Sequence, residues 1–307
     1  MKLAAIDIGS NAIRFQVTNV MTYEGQHYFK RLEYVRFPLR LGQDVFKLKK
    51  IGEKQEDKFI RLMNAFKILI ELYEVDQYYA CATSAMREAQ NGREIVQKVK
   101  ELMGLKINVI SGEREAELIN RVVMEKLGRG IFLHIDVGGG STELNLIKDG
   151  VKMKSESFRI GSVRTIENTS SKAVLNRMSQ WITSQIAGYK GTITAVGTGG
   201  NISKIYELSK TRSRLRILKL DSILAVQEHL ASHTLEERIF KLHLNPDRAD
   251  VILPAADIYL HAMKSANIQR IKVPDVGLKD GIMHMLFEKH VKQSLIPLND
   301  SDSETVD

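Results

Sequence analysis

The chain has 307 residues, a formal net charge of +8 and a single cysteine, Cys81. That length suffices for a full core and about two domains, while one cysteine excludes an intrachain disulfide and any multi-cysteine zinc site, and no uninterrupted apolar run is long enough to span a bilayer. The basic excess favours polyanionic partners: nucleotides, nucleic acid, polyphosphate or an anionic membrane surface.

The N-terminal MKLAAIDIGS has Asp7 inside its apolar stretch and does not read as a secretory signal, so a cytoplasmic protein is expected. Alternation through LAAIDIGSNAIRFQVTNV predicts a strand, a tight turn and a second strand. Ile13, Phe15 and Val17 fall on one face of the second strand, Arg14 and Gln16 on the other. Further strand is expected over 28–41, then a helix over 52–73 with Phe59, Leu62, Phe66 and Leu69 as its stripe. A strand through YYACAT leads into SAMREAQNG, placing Arg87 soon after a strand. A helix over 92–103 ends at Gly104, and the short strand KINVI follows.

Next comes ISGEREAELINRVV, with three glutamates near a helix start, where acids are favoured by the exposed N–H groups. Helical phase puts Glu113 and Glu117 with Asn120 and Arg121 on a solvated face. Glu115 instead heads the series containing Leu118, Ile119 and Val122, in line with the buried stripe. Such a carboxylate is either functional or simply reaches out at the helix end, and this pattern alone leaves both open.

After Gly130 the scheme restarts, since HIDVGGGSTELNLI parallels AIDIGSNAIRFQV and suggests two related halves whose turns face each other across a cleft. Helices are expected over 171–187, after Gly200, over 222–242 and finally over 277–291. The segment SKTRSRLRILK would align Lys210, Arg212, Arg214 and Arg216 if extended, as a phosphate track or as a plain solvated edge. The last residues, LNDSDSETVD, read as a small, polar, acidic, disordered tail.

DVGGGST is the sharpest motif. Three glycines let a backbone approach an anion closely, and Ser141 adds a hydroxyl. A strand follows rather than a helix, which excludes a dinucleotide fingerprint, and no P-loop pattern occurs. Phosphate binding is favoured over an ordinary hairpin. Asp7 and Asp136 each precede a glycine turn at a strand end, where a carboxylate suits Mg²⁺ or caps the turn. Glu143 shares a strand face with Ser141 and Asn145, towards a cleft or towards solvent. AVGTGGN, with Gly199, precedes a helix near Ser203 and is a weak anion signal by itself. Arg14 and Arg87 could neutralise phosphate or form surface pairs. His229 and His233 have the spacing of a metal pair on a helix but no third ligand, so no metal is assigned to them.

Together AIDIGSNAIRF, ATSAMREAQNG, VISGEREAELI, IDVGGGSTEL, FRIGSVR, AVGTGGN, RADVILPAADI and VGLKDGI resemble the exopolyphosphatase and guanosine pentaphosphate phosphatase (Ppx/GppA) family of the actin, hexokinase and acetate kinase superfamily. The resemblance implies an α/β protein of two actin-like, ribonuclease H-like domains, with mixed sheets flanked by helices and a cleft between them. The expected division is 1–124 and 125–293, with the final helix 277–291 packing back on the first domain and 294–307 as tail. The family's catalytic glutamate matches Glu115, its metal-linked acids Asp136 and Glu143, with Asp7 as a further candidate. Its phosphate loops match Gly9, Ser10 and Asn11, and Gly138, Gly139, Gly140 and Ser141, with Gly199 in the later turn; its arginines match Arg14 and Arg87. Arg114 stands where the motif more usually has Glu, and Ala12 and Asn201 replace the usual Ser and Thr, departures of the latter two touching fine substrate contacts rather than the chemistry. Longer members add helical C-terminal domains absent from this sequence, so a preference for long chains is not implied.

The implied activity is hydrolysis of a terminal phosphoanhydride of polyphosphate or guanosine pentaphosphate. Glu115 would activate water, with Mg²⁺ or another divalent cation as cofactor. The partner would be this polyanion, with no specific nucleic acid and no membrane; a homodimer stays open. The rival readings are an ATP-dependent phosphotransferase and a non-catalytic polyphosphate or alarmone sensor.

Overall fold

A computed structural model describes residues 1–167 and 171–294, so all but the first residue of the expected acidic tail lies outside the described residues. The first half runs β1 (Lys2–Ile8), β2 (Ile13–Tyr23), β3 (Gln26–Phe37), α1 (Leu41–Leu48), α2 (Glu53–Leu72), β4 (Gln77–Ala82), α3 (Ser84–Glu88), α4 (Gly92–Met103), β5 (Ile107–Val109) and α5 (Gly112–Glu125). Its five-stranded sheet has the order β3-β2-β1-β4-β5, antiparallel on the hairpin side and parallel through β4 and β5.

The second half repeats the plan: β6 (Ile131–Val137), β7 (Thr142–Lys148), β8 (Val151–Phe158), α6 (Arg164–Glu167), α7 (Ser171–Ile186), β9 (Ile193–Thr198), α8 (Gly200–Leu208), β10 (Ile217–Lys219), α9 (Leu220–Ala231), α10 (Leu235–Phe240), α11 (Pro246–Ala249), α12 (Ile252–Ser265), β11 (Arg270–Lys272) and α13 (Leu278–Ser294). The six-stranded sheet has the order β10-β11-β9-β6-β7-β8. Strand by strand, β6, β7, β8 and β9 stand where β1, β2, β3 and β4 do. The protein is thus α/β with two mixed sheets, as the sequence implies.

Alternation within the strands builds three cores. Ala4, Ile6 and Ile8 of β1 face the α1–α4 side, and Leu133, Ile135 and Val137 of β6 face the α7–α12 side. The opposite faces, through Leu3, Ala5, Cys81, Ile147 and Val196, meet Leu118, Ile119 and Val123 of α5 and Ile282, Met283 and Leu286 of α13. Helices α5 and α13 therefore fill the layer between the sheets, and α13 packs on α5 and β1. Among the described residues no helix is long and apolar enough to cross a membrane.

Several expectations shift. In α2 the buried stripe is Phe59, Met63, Phe66 and Ile70, with Leu62 and Leu69 only partly covered, a phase shift of one residue. The helix expected over 222–242 breaks at Ser232, because Thr234 and Glu237 form a capping box that restarts it as α10. His229 and His233 therefore do not share a helix; their rings touch edge to face. Arg87 lies within α3. Asn120 is buried, not solvated, since α5 is covered on more than one side. Residues 210–216 are not a strand: Arg216 turns inward, donating from Nε to Val273 O at 2.8 Å and lying over Tyr206, so four aligned cations do not form.

The seam between α5 and α13 depends on Gly281, where an added Cβ would lie 2.0 Å from Leu118 O. Gly281→Ala must push the helices apart against a close-packed layer. It should cost about 1–3 kcal/mol of unfolding free energy by denaturant titration, although Ala is the better helix former.

Candidate active site

Each β-hairpin ends in a glycine turn closed by its own backbone: Gly9 N–H donates to Ala12 O at 3.2 Å, and Gly138 N–H to Ser141 O at 2.9 Å. The two turns meet. A Cβ on Gly139 would lie 2.9 Å from Ser10 Cβ and 3.4 Å from Asn11 N, an approach only glycine permits. The segment after β8 braces the second turn, with Ser162 N–H on Gly138 O and Val163 and Arg164 N–H on Gly139 O. Within the first half Ser10 Oγ pairs with Ser84 Oγ at 2.8 Å, and across the halves Asn11 Nδ2 donates to Asp247 O at 2.9 Å. Arg36–Asp247 and Arg40–Asp250 ion pairs cross the same line.

Above the turns lies a cleft of ≈ 420 Å³ lined by Asp7, Gly9, Ser10, Asn11, Arg14, Glu115, Asp136, Gly138, Gly139, Ser141 and Gly199. Eleven of the residues singled out in the sequence thus share one space. Gly199, at φ +103°, caps α8 and brings its backbone against Asp136, since a Cβ there would be 3.2 Å from Oδ1. The remaining three stand behind the wall. Gly140 is a packing position, with Phe46 and Ser84 where a Cβ would go. Arg87 donates from Nη1 to Ile110 O at 2.5 Å. Glu143 is buried and accepts on Oε1 from Ser141 Oγ at 2.6 Å and Ser157 Oγ at 3.1 Å.

Strand register explains the acids. Asp7 faces Arg14 across β1–β2 and forms an ion pair with it at 2.9 Å; at the same place in the second half Asp136 faces Glu143. Both hairpins point these residues to the inner face, where α5 supplies Glu115. Ser111 caps α5 by accepting from Arg114 N–H, and fixes where Glu115 emerges. Burial, then the charges of Glu143, Asp136 and Asp7, holds the Glu115 carboxyl well above its ordinary value against the opposing pull of Arg87. Its Oε2 is enclosed without a partner. Burial likewise raises Asp136 to about 6, eased by Thr198 and Arg14, and raises Glu143 to about 7 with help from Asp136. Burial alone would lower Arg14, but Asp7, with Tyr34 and Asp136, outweighs it and leaves the guanidinium above its ordinary value.

Among the described residues no three His, Cys, Asp or Glu side chains converge as a metal cage. The donor set still fits a hard divalent ion: Mg²⁺ uses one or two carboxylates and completes its shell with water and phosphate oxygens. Asp136 and Glu143, paired across β6–β7, are two carboxylates of the kind such an ion uses, while Asp7 is paired with Arg14.

Residues missed in the sequence form a buried polar chain: Asn120, His134, Asn145 and Thr198. His134 lies two before Asp136 on β6 and so shares its face, a signal that was readable. Arg36 and Arg248 also line the cleft.

A two-sheet actin-like α/β fold with paired glycine turns and buried acids defines the class. The model of the Ppx/GppA phosphatase family matches residues 20–290, and the chain belongs to that family. Similar relatives include a bifunctional 3-dehydroquinate synthase/phosphatase of Fusobacterium nucleatum, 32% identical over 53% of this chain and 26% of that protein. A guanosine-5'-triphosphate,3'-diphosphate pyrophosphatase of Photobacterium profundum is 23% identical over 93% of this chain and 59% of that protein. An exopolyphosphatase 1 of Mycobacterium bovis is 22% identical over 92% and 87%. The chain therefore spans about a quarter of the first of these relatives and under two thirds of the second. The crystal structure of an exopolyphosphatase from Cytophaga hutchinsonii superposes with a TM-score of 0.82 at 22% identity, covering 94% of this chain and 98% of that one.

A carboxyl that keeps its proton to higher pH when folded than when unfolded stabilises the fold at low pH and loses this as pH rises through the folded value. Glu143, at about 7 against an ordinary 4.5, is such a group. Without divalent cation, Glu143→Gln should be more stable than wild type at about pH 8, by about 1–3 kcal/mol in denaturant melts. The gain should shrink as the pH is lowered towards the unfolded value.

Proposed function

We propose that the protein is a phosphoanhydride hydrolase that releases terminal phosphate from inorganic polyphosphate, guanosine pentaphosphate or both. The observation that carries this is Glu115, enclosed with Oε2 unpartnered, lining one cleft with Asp136 and both glycine turns. Family membership and the names of the relatives support the reading, and favour neither the phosphotransferase nor the sensor. A cytoplasmic location and a division at about residue 124, with α13 returning to the first domain, belong to the same reading.

Glu115 orients a water and takes its proton as the water oxygen attacks the terminal phosphorus. The P–O bond to the penultimate phosphate breaks, and its electron pair leaves with the shortened chain. Raised basicity from burial suits Glu115 to hold that proton. The turns at Gly9–Asn11 and Gly138–Ser141, with Arg14, hold the transferring group, since positioning and charge dominate phosphoryl transfer. Arg87, behind the wall, acts on the charge of Glu115 and Glu143 rather than on phosphate. Asp136 and Glu143 would hold Mg²⁺, which when bound offsets charge on the phosphates.

Phosphate release from long polyphosphate, short polyphosphate, guanosine pentaphosphate and ATP, compared with Mg²⁺ present, tests the substrate. Glu115→Gln should lower kcat on the preferred one by about 10²–10⁴ while it still binds. Full activity in that variant removes the mechanism.

A further inference from the structure

The inner face of the second sheet carries a neutral histidine that the reaction above does not use. His134 is fully buried. Its Nε2 lies 2.8 Å from Thr198 Oγ1, and its Nδ1 lies 3.2 Å from Asn145 Nδ2 and 3.0 Å from Asn120 Oδ1. Ser155 Oγ donates to Asn145 Oδ1 at 2.8 Å, and Thr198 stands directly beside Asp136 across the β6–β9 pairing, where its hydroxyl favours the ionised carboxyl. Asn120 belongs to the helix of Glu115, Asn145 to the strand of Glu143, and Thr198 to the strand beside Asp136.

Donor and acceptor chemistry sets the direction of this chain. An ionised Asp136 only accepts, so the Thr198 hydroxyl donates to it and must itself accept from His134 Nε2–H. A neutral ring then has a bare Nδ1, which accepts from Asn145 Nδ2. Asn120 Nδ2 has no partner, and a flip of that amide gives Nδ1 a second donor.

The first half provides an internal control. By register, Ala5 stands where His134 does, Gln16 where Asn145 does, Cys81 where Thr198 does and Arg14 where Glu143 does. The strand plan thus builds without a histidine there, and in that half Asp7 is held by Arg14 instead. The polar chain occurs where two carboxylates face each other.

We infer that His134 is a positioning residue that, through Thr198, orients the Asp136 carboxylate towards a divalent cation and ties it to the elements bearing Glu115 and Glu143. This rests on the metal-assisted reading of the site. Second-sphere partners of this kind are typically worth about 10–100-fold in metal affinity.

The test is Mn²⁺ titration by calorimetry on wild type, His134→Leu, His134→Gln and Thr198→Val, each without substrate. Thermal melts and kcat and KM accompany each titration. His134→Leu and Thr198→Val should weaken Mn²⁺ binding by about tenfold or more and lower kcat with KM little changed. His134→Gln, which keeps a donor and an acceptor, should restore most of the affinity. Unaltered Mn²⁺ affinity in the near-isosteric Thr198→Val overturns the inference, and that variant decides alone should His134→Leu not fold. Should wild type release phosphate from no substrate yet bind Mn²⁺ in a Thr198-dependent way, the hydrolase reading falls and this one stands.

Discussion

The structure is organised around carboxylates enclosed at the join of two similar halves. Each half delivers an aspartate to the same place, at the inner end of its central strand, and each must answer the charge it encloses. In the first, Arg14 does so at 2.9 Å. In the second the facing residue is Glu143, and Glu115 arrives from α5, so repulsion is built in rather than relieved. Burying like charges costs stability unless something balances them. Three apolar cores and close glycine contacts hold the arrangement against that cost.

The same logic accounts for the shared floor. Gly139 touches Ser10, Asn11 reaches Asp247, and Arg36 and Arg40 pair with acids of the other half. None of these contacts is required by the core of either half alone. Their joint effect is to fix the distance between the two glycine turns, the kind of constraint on which a reaction dependent on positioning would rely.

Much of this was legible in the sequence, because it depends on local rules. Period-two alternation located both hairpins, successive glycines marked the turns, and helical phase separated Glu115 from Glu113 and Glu117. What failed was inference from a one-sided view of burial. Asn120 shares a face with Arg121 by spacing, yet α5 lies between two sheets and is covered on more than one side, so position on a wheel did not decide exposure. At Gly140 the motif marks a phosphate loop, and the approach of Phe46 and Ser84 from the other half adds a packing demand for glycine that the motif does not encode. Arg87, which the motif offers to phosphate, donates from α3 to Ile110 O in the structure. These depend on long-range packing, which no local pattern encodes. The Thr234 capping box, by contrast, was written in the sequence and would have divided α9 from α10.

Helix α13 has a bearing on how the protein is made. It completes the layer over Leu3, Ala5 and Cys81, residues placed near the beginning of the chain, yet it is the last described element to leave the ribosome. The inner face of the first sheet therefore stays only partly covered, by α5, through most of synthesis, while α1 to α4 can already close the opposite face. Domains commonly fold as they emerge. Here the first half cannot finish before the second is present, and the two repeats are bound into a single late folding event, during which the exposed inner face would be the surface most in need of a chaperone.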